Sequence, residues 1–338
     1  MARLDVVTDG GLLGNQWTTS DRGVLADRMI APPFSVFDTK QGWWQERKRA
    51  WVQLGIQSEL GRDAVSYESQ DKLTAFQKAK PGAACMPSIN QTFGRASDAG
   101  TTPSVTGVSI FDPVLCELMM LWYVPDSGIV LDPFAGGSVR GVVAAAMQKK
   151  YWGCELRAEQ VDANIEQARN IGPSVLKYQP RWVTGDSGVI VPAKAPQADF
   201  LWSCPPYGNL EVYSDDPADI SNRTDVGAFA RDYYRIISCA CDRLRDNRFA
   251  AFVVGNYRDG NGHMVDLVGM TIKAFEAAGL KFYNDAVILN PPGTAPIRTN
   301  TNFHRGHRKL VKIHQNLLIF LKGDAKLAAT DLPALSVA

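Results

Sequence analysis

Between Ile110 and Gly323 the chain alternates short, nearly continuous apolar runs with longer stretches whose apolar residues recur at helical spacing. That alternation restricts the fold more than any other feature of the sequence. The apolar runs predict seven strands, at 129–131, 151–154, 182–184, 199–202, 249–254, 286–289 and 317–321. Helical spacing predicts helices at 139–147, about 159–170, 226–244 and 265–278. Ahead of them, Phe111-Asp112-Pro113 starts a helix well. Asp112 suits the cap, Pro113 the first helical position, and Val114, Leu115, Leu118, Met119 and Trp122 form an apolar face. A strand without polar alternation has to be covered on both faces, and helices between such strands supply the cover. The last two strands have no helix between them and therefore pair antiparallel. The expectation is an α/β, doubly wound, seven-stranded, mostly parallel sheet with a terminal antiparallel hairpin, whose ligands bind beyond the carboxyl ends of the strands.

A hydrophobic fraction of 45% and a charged fraction of 21% are those of a globular chain able to bury a sizeable core. The net charge of +1 does not by itself announce a nucleic-acid partner, so charge distribution has to decide. The six cysteines show neither a CxxC pair nor zinc spacing, which fits a reducing cytoplasm and no metal. The N-terminus lacks a signal peptide's apolar core, and no run reaches the length of a membrane span. Residues 1–108 are polar and irregular, turn-rich near 80–84 and 98–106, and read as an N-terminal appendage. Within it, Trp44, Lys48 and Trp51 share one helical face, beside three consecutive basic residues from Arg47 to Arg49.

The first strand of the alternating region runs straight into Asp132-Pro133-Phe134-Ala135-Gly136-Gly137-Ser138 and then a helix. Glycines at such a turn let backbone and helix-terminal N–H groups approach a ligand. The spacing is not that of the dinucleotide fingerprint. Glu155 ends the next strand, and Asp186 follows the third. Carboxylates there can accept hydrogen bonds from a ribose diol and an adenine amino group. Acidic residues at three consecutive strand ends point to a nucleoside-bearing ligand.

After the fourth strand comes Ser203-Cys204-Pro205-Pro206-Tyr207-Gly208. Together, DPFAGGS and this PPY loop resemble the amino-methyltransferases of DNA, with phage and prophage methylases similar in layout. The likeness covers about 109–323. It implies a Rossmann-like class I methyltransferase domain over 109–325, a tail over 326–338 and a target-recognition region over 1–108. It also implies S-adenosylmethionine as cofactor, held by Asp132, Phe134, Ala135, Gly136, Gly137, Ser138, Glu155 and Asp186. Catalysis would lie with Cys204, Pro205, Pro206 and Tyr207. The partner would be duplex DNA with the target base flipped out, methylated on N6 of adenine or N4 of cytosine, as in phage biology or restriction-modification. The chemistry agrees with the residue types. The prolines fix a loop whose carbonyls face no competing amide donors, and an acceptor beside the amino group favours a nucleophilic nitrogen. Tyr207 offers a stacking surface. The sequence departs from the family at Cys204, where Asp, Asn or Ser is usual, and the glycine loop ends Gly-Gly-Ser instead of Gly-Ser-Gly.

Alternatives remain open. Cys204 as a nucleophile would give methylation at cytosine carbon 5. RNA or a protein glutamine could be the acceptor, or the chain could be a DNA-binding homologue that has lost activity. From Ala286 to Gly323 there is no acidic residue, while Arg298, Arg305, Arg308, Lys309 and Lys312 crowd between the last two strands, a natural place to meet phosphates. The long polar loop at 209–224 beside Tyr207 is a candidate lid.

Overall fold

A computed structural model describes residues 30–57, 66–67, 111–293 and 295–333. The expected turns near 80–84 and 98–106, and most of the expected recognition region, lie outside the described residues.

The main sheet has eight strands: β1 (Val36–Asp38), β3 (Ile129–Asp132), β4 (Lys150–Glu155), β5 (Arg181–Thr184), β6 (Ala198–Ser203), β8 (Leu244–Val254), β11 (Lys281–Leu289) and β12 (His314–Lys322). Four two-residue strands form small pairs: β2 (Ser66–Tyr67) with β7 (Glu211–Val212), and β9 (Tyr257–Arg258) with β10 (Met264–Val265). The order across the sheet is β1-β11-β12-β8-β6-β3-β4-β5. All pairings are parallel except those of β12, which runs antiparallel to both β8 and β11. Seven of the strands are the expected ones, terminal hairpin included. The eighth, β1, pairs parallel with β11 through Val36–Val287 and Asp38–Leu289. Three residues at a sheet edge with Val36 exposed are too few to show a period.

Side chains alternate across this sheet into two cores. Val130, Phe200, Trp202, Phe249, Ala251 and Val253 face one, while Leu131, Leu201, Ala250, Phe252 and Val254 face the other. The first is covered by α1 (Gly42–Gln53), α2 (Pro113–Tyr123), α3 (Val139–Ala146) and α4 (Ala158–Ile171). The second is covered by α5 (Ser187–Lys194), α6 (Val226–Arg243) and α7 (Leu267–Ala277). Asp112 caps α2 as expected, accepting from the Val114 N–H at 2.9 Å with Pro113 in the first turn. Helix α5 shows no clear helical pattern in the sequence because it is one short element carrying Pro192. The Asp186 carboxylate starts it by capping Gly188 at 2.8 Å.

Helix α1 is built into this body. Trp44 and Trp51 are fully buried, and Arg47 is buried beside them against Glu117 of α2. The Arg47 Nε donates to Glu117 at 2.5 Å and the Trp51 indole N–H donates to the same carboxylate at 2.8 Å. A fully buried carboxylate needs such donors. Residues 36–53 thus complete the main sheet and core. Among the described residues no helix is long and apolar enough to cross a membrane, and no group of three or more His, Cys, Asp or Glu side chains could hold a metal ion.

Candidate active site

The chain passes from β3 through α3 to β4 on one side, and from β5 through α5 to β6 on the other, so the strand order reverses between β3 and β6. The carboxyl ends of strands at such a switch point leave a crevice between diverging loops. A cavity of about 380 Å³ lies there. Phe134, Gly136 and Gly137 of the glycine loop line it together with Glu155 and Asp186. Cys204, Pro205, Pro206 and Tyr207 line the same cavity. Both expected loops therefore open into one space.

Three of the expected cofactor residues do not line it. Asp132 is fully buried beneath the glycine loop, and its carboxylate accepts four hydrogen bonds. The donors are the Ser203 hydroxyl at 2.5 Å, Arg140 Nε at 2.6 Å, the Tyr151 hydroxyl at 2.8 Å and the Phe134 N–H at 3.1 Å. With its acceptor sites engaged in this way, Asp132 anchors the loop from beneath the cavity. Arg140 extends the anchor by donating to the Phe134 carbonyl at 2.7 Å and the Ala135 carbonyl at 2.8 Å. Burial is the largest influence and opposes the Arg140 charge, yet Asp132 and the smaller contributions of Tyr151 and Cys204 together raise the guanidinium pKa. Ala135 is buried, bonding through its N–H to the Cys154 carbonyl at 3.0 Å. Ser138 is buried too and donates to Gln167.

Gly136 has a φ of +51°, and a side chain there would meet nothing within 4 Å. Its conformation, not crowding, calls for glycine. Its N–H donates to Glu155 at 2.9 Å, and Glu155 also accepts from the Arg157 N–H at 3.0 Å. Burial pushes the Glu155 carboxyl above the usual glutamate range, against those two backbone donors. Besides capping α5, Asp186 is paired with Arg235 at 3.0 Å.

Tyr207 is pinned from β12, two strands across the sheet from β6. Gln315 of β12 donates to its hydroxyl at 2.7 Å, and the Cys204 sulfur lies 3.9 Å from that oxygen. Burial is the main reason its phenol ionises well above the ordinary tyrosine range. Gly208 follows with φ +58°, and a side chain there would collide with Tyr257. The expected lid is ordered by its own polar groups. Asn222 donates to the Ser214 carbonyl at 2.8 Å and Ser214 to Asp219 at 3.0 Å, while Leu210, Tyr213 and Ile220 line the cavity.

The basic loop begins with α8 (Ala295–Thr299), where Arg298 is exposed, and Arg305 and Arg308 are exposed beyond it. Lys309 packs near Gly262, and Lys312 donates to the Asn256 carbonyl at 2.9 Å. A side chain at Gly255 would touch both the Lys312 ammonium, at 2.5 Å, and the Tyr207 ring, at 3.7 Å. Of the five basic residues, Lys312 thus stands beside the PPY loop. Desolvation lowers its pKa below that of an ordinary lysine.

Arg140, Tyr151, Ser203, Thr39, Asn290 and Gln315, none of them expected at the site from the sequence, also line the cavity or support its walls, and Lys48 of α1 lines it too. Arg140 left a signal, since it is the one charge in an otherwise apolar or small-residue helix, VRGVVAAA. Such a charge is buried only with a partner.

The strand order β5-β4-β3-β6-β8-β12-β11, with β12 reversed, and a cavity at the switch point define a Rossmann-like fold of the class I methyltransferase type. No protein-family model matches the sequence, and no curated protein matches it. Solved structures with similar folds include TrmN from Thermus thermophilus, at 16% identity and a TM-score of 0.42 over 63% of this chain and 49% of that one. The chain therefore spans about half the length of TrmN. A precorrin-6y C5,15-methyltransferase from Geobacter metallireducens is similar at 11% identity and a TM-score of 0.42, over 65% of this chain and 93% of the other. A SAM-dependent methyltransferase from Methanosarcina mazei is similar at 12% identity and a TM-score of 0.41, over 64% and 99%. The fold assignment rests on the strand order and register.

Proposed function

We propose that this protein is an S-adenosylmethionine-dependent methyltransferase that acts on an exocyclic amino group of a DNA base, N6 of adenine or N4 of cytosine. The observation that carries this reading is the shared cavity, which joins a glycine loop and two carboxylate-bearing strand ends to a Cys-Pro-Pro-Tyr loop. The residues present suit the cofactor. Gly136 leaves open space above a strand end, and Glu155 supplies acceptors for a ribose diol. Phe134 adds an apolar wall, while Asp186 stands at the next strand end for the adenine. When bound, S-adenosylmethionine supplies an electrophilic methyl carbon on a positively charged sulfur.

The chain's own part is positioning. Tyr207, held by Gln315, stacks on the extruded base, which inside a duplex is out of reach of the cofactor. The carbonyl at Pro205 accepts from the amino N–H, which keeps the nitrogen lone pair out of ring conjugation and stabilises the positive charge that builds on the nitrogen as the new bond forms. The proton leaves to solvent after transfer. Lys312 beside Tyr207 and the exposed Arg298, Arg305 and Arg308 support phosphate binding next to this site.

The test is incubation of the purified protein with unmethylated DNA and S-adenosylmethionine, followed by nucleoside mass spectrometry. N6-methyladenine or N4-methylcytosine is expected. Transfer only to RNA, or none to DNA under conditions where calorimetry shows cofactor binding, overturns the DNA reading.

A further inference from the structure

The cavity extends past both motif loops. At its acceptor end Thr39, which follows β1, meets Asn290, which follows β11, and Gln315 of β12 meets Tyr207. These residues come from three separate parts of the chain, and the strand ladder holds them in one row. Asp38 pairs with Leu289, and Ile288 pairs with Gln315. Thr39 is buried, and its hydroxyl donates to the Leu289 carbonyl at 2.9 Å, with the Asn290 side-chain oxygen 3.5 Å away. The Asn290 backbone N–H is already used on the Ile313 carbonyl at 2.9 Å, so its side chain is not needed to close the hairpin.

We propose that Asn290 and Gln315 read the polar edge of the acceptor base, with Thr39 positioning Asn290 through the Leu289 carbonyl. This rests on the amino-methyltransferase reading and adds the specificity wall to it. A base with an exocyclic amine presents an N–H donor next to a ring-nitrogen acceptor, and a primary amide carries the complementary acceptor and donor. Gln315 spends one N–H on Tyr207 and keeps its carbonyl oxygen as an acceptor. Asn290, which follows the Leu289 carbonyl that Thr39 holds through both its N–H and its hydroxyl, brings a second amide to the same wall and supplies the donor. Because Gln315 is bonded to the hydroxyl of the stacking ring, recognition of the face of the base and recognition of its edge are held together by one hydrogen bond. The strand β1 then matters for acceptor choice although it belongs to neither motif.

The experiment measures steady-state transfer to unmethylated genomic DNA, calorimetric affinity for S-adenosylmethionine and melting temperature. The variants are Asn290→Leu, Asn290→Gln, Gln315→Leu, Thr39→Val and Thr39→Ser. Each Leu variant is expected to lower kcat/KM for DNA about ten- to a hundredfold, with cofactor affinity unchanged. Asn290→Gln recovers part of that loss, and Thr39→Ser stays within about threefold of wild type while the isosteric Thr39→Val does not. If both Leu variants keep wild-type kcat/KM beside an active wild type, the wall is overturned and the methyltransferase reading stands. An equal loss of cofactor affinity also overturns it by placing these residues at the other end. A wild type that binds cofactor but methylates no DNA overturns the underlying reading and this inference together.

Discussion

The two ends of the cavity are built differently. At the cofactor end, Phe134, Gly136, Glu155 and Asp186 stand at the ends of three neighbouring parallel strands, within about fifty residues of one another. The Asp132–Arg140–Tyr151–Ser203 anchor holds Phe134 from beneath, Gly136 bonds to Glu155, and Asp186 bonds to Gly188 and Arg235. At the acceptor end, Thr39, Cys204 to Tyr207, Asn290 and Gln315 come from distant segments and meet only because the sheet is complete. A local loop can be preorganised by its own sequence, whereas the acceptor end depends on β1, β11, β12, β8 and β6 being in register. Damage at the first end should therefore appear as reduced stability or cofactor affinity, and damage at the second as reduced turnover on DNA.

The largest effect that would sharpen this contrast belongs to Asp132. Asp132→Ala leaves Arg140 charged and buried without its partner, a defect that typically costs about 3–5 kcal/mol. Urea unfolding is expected to show a loss of that order, with cofactor binding weakened as a consequence. Wild-type stability in this variant would break the claim that Asp132 is an anchor.

Next is the basic loop. Replacing Arg305, Arg308 and Lys309 by alanine should weaken DNA binding and reduce the log–log salt slope by about 0.9 for each phosphate that is no longer neutralised. Melting temperature and cofactor affinity should not move, because Arg305 and Arg308 are exposed and stand apart from the cavity and its glycine loop. An unchanged slope would remove this loop from the DNA interface.

The smallest effect is a pH dependence at the cofactor end. Burial raises the folded-state pKa of Glu155, so the folded protein binds this proton more tightly than the unfolded chain. The favourable contribution of protonated Glu155 is complete below the unfolded glutamate pKa and is lost as pH rises through the raised folded value. Relative to Glu155→Gln, the wild type should gain melting temperature as pH falls through that window. Affinity for S-adenosylmethionine should fall over the same window, since a protonated carboxyl accepts poorly. Parallel pH profiles for the two proteins would show that Glu155 is not buried in this way.

Much of the glycine-loop end of the cavity was legible in the sequence because strand period, glycine turn and acidic strand ends are local features. The ends of β3 to β6 and the Asp112 cap of α2 fell close to expectation. What local pattern could not show was which carboxylate faces a ligand. Asp132 and Glu155 look alike in sequence, yet one sits among four donors and the other lines the cavity. Strand β1 escaped because three edge residues, only Phe37 of them buried, are too few to carry a period, and α5 because Pro192 breaks its helical signature. The acceptor wall was invisible for a deeper reason. Thr39, Asn290 and Gln315 are ordinary polar residues at strand ends, and only the β1–β11–β12 ladder makes them neighbours.

Methyl transfer by wild type and Cys204→Ser, with the product nucleoside identified, tests amino-group methylation most directly. An amino-methyltransferase needs shape and an acceptor at position 204, so the serine variant should retain or increase formation of N6-methyladenine or N4-methylcytosine, a hydroxyl being the better acceptor. Tyr207→Ala, which removes the stacking surface pinned by Gln315, should abolish it. A serine variant that binds cofactor and DNA but transfers nothing, beside a wild type that makes 5-methylcytosine, would contradict amino-group methylation and make the Cys204 thiolate the nucleophile.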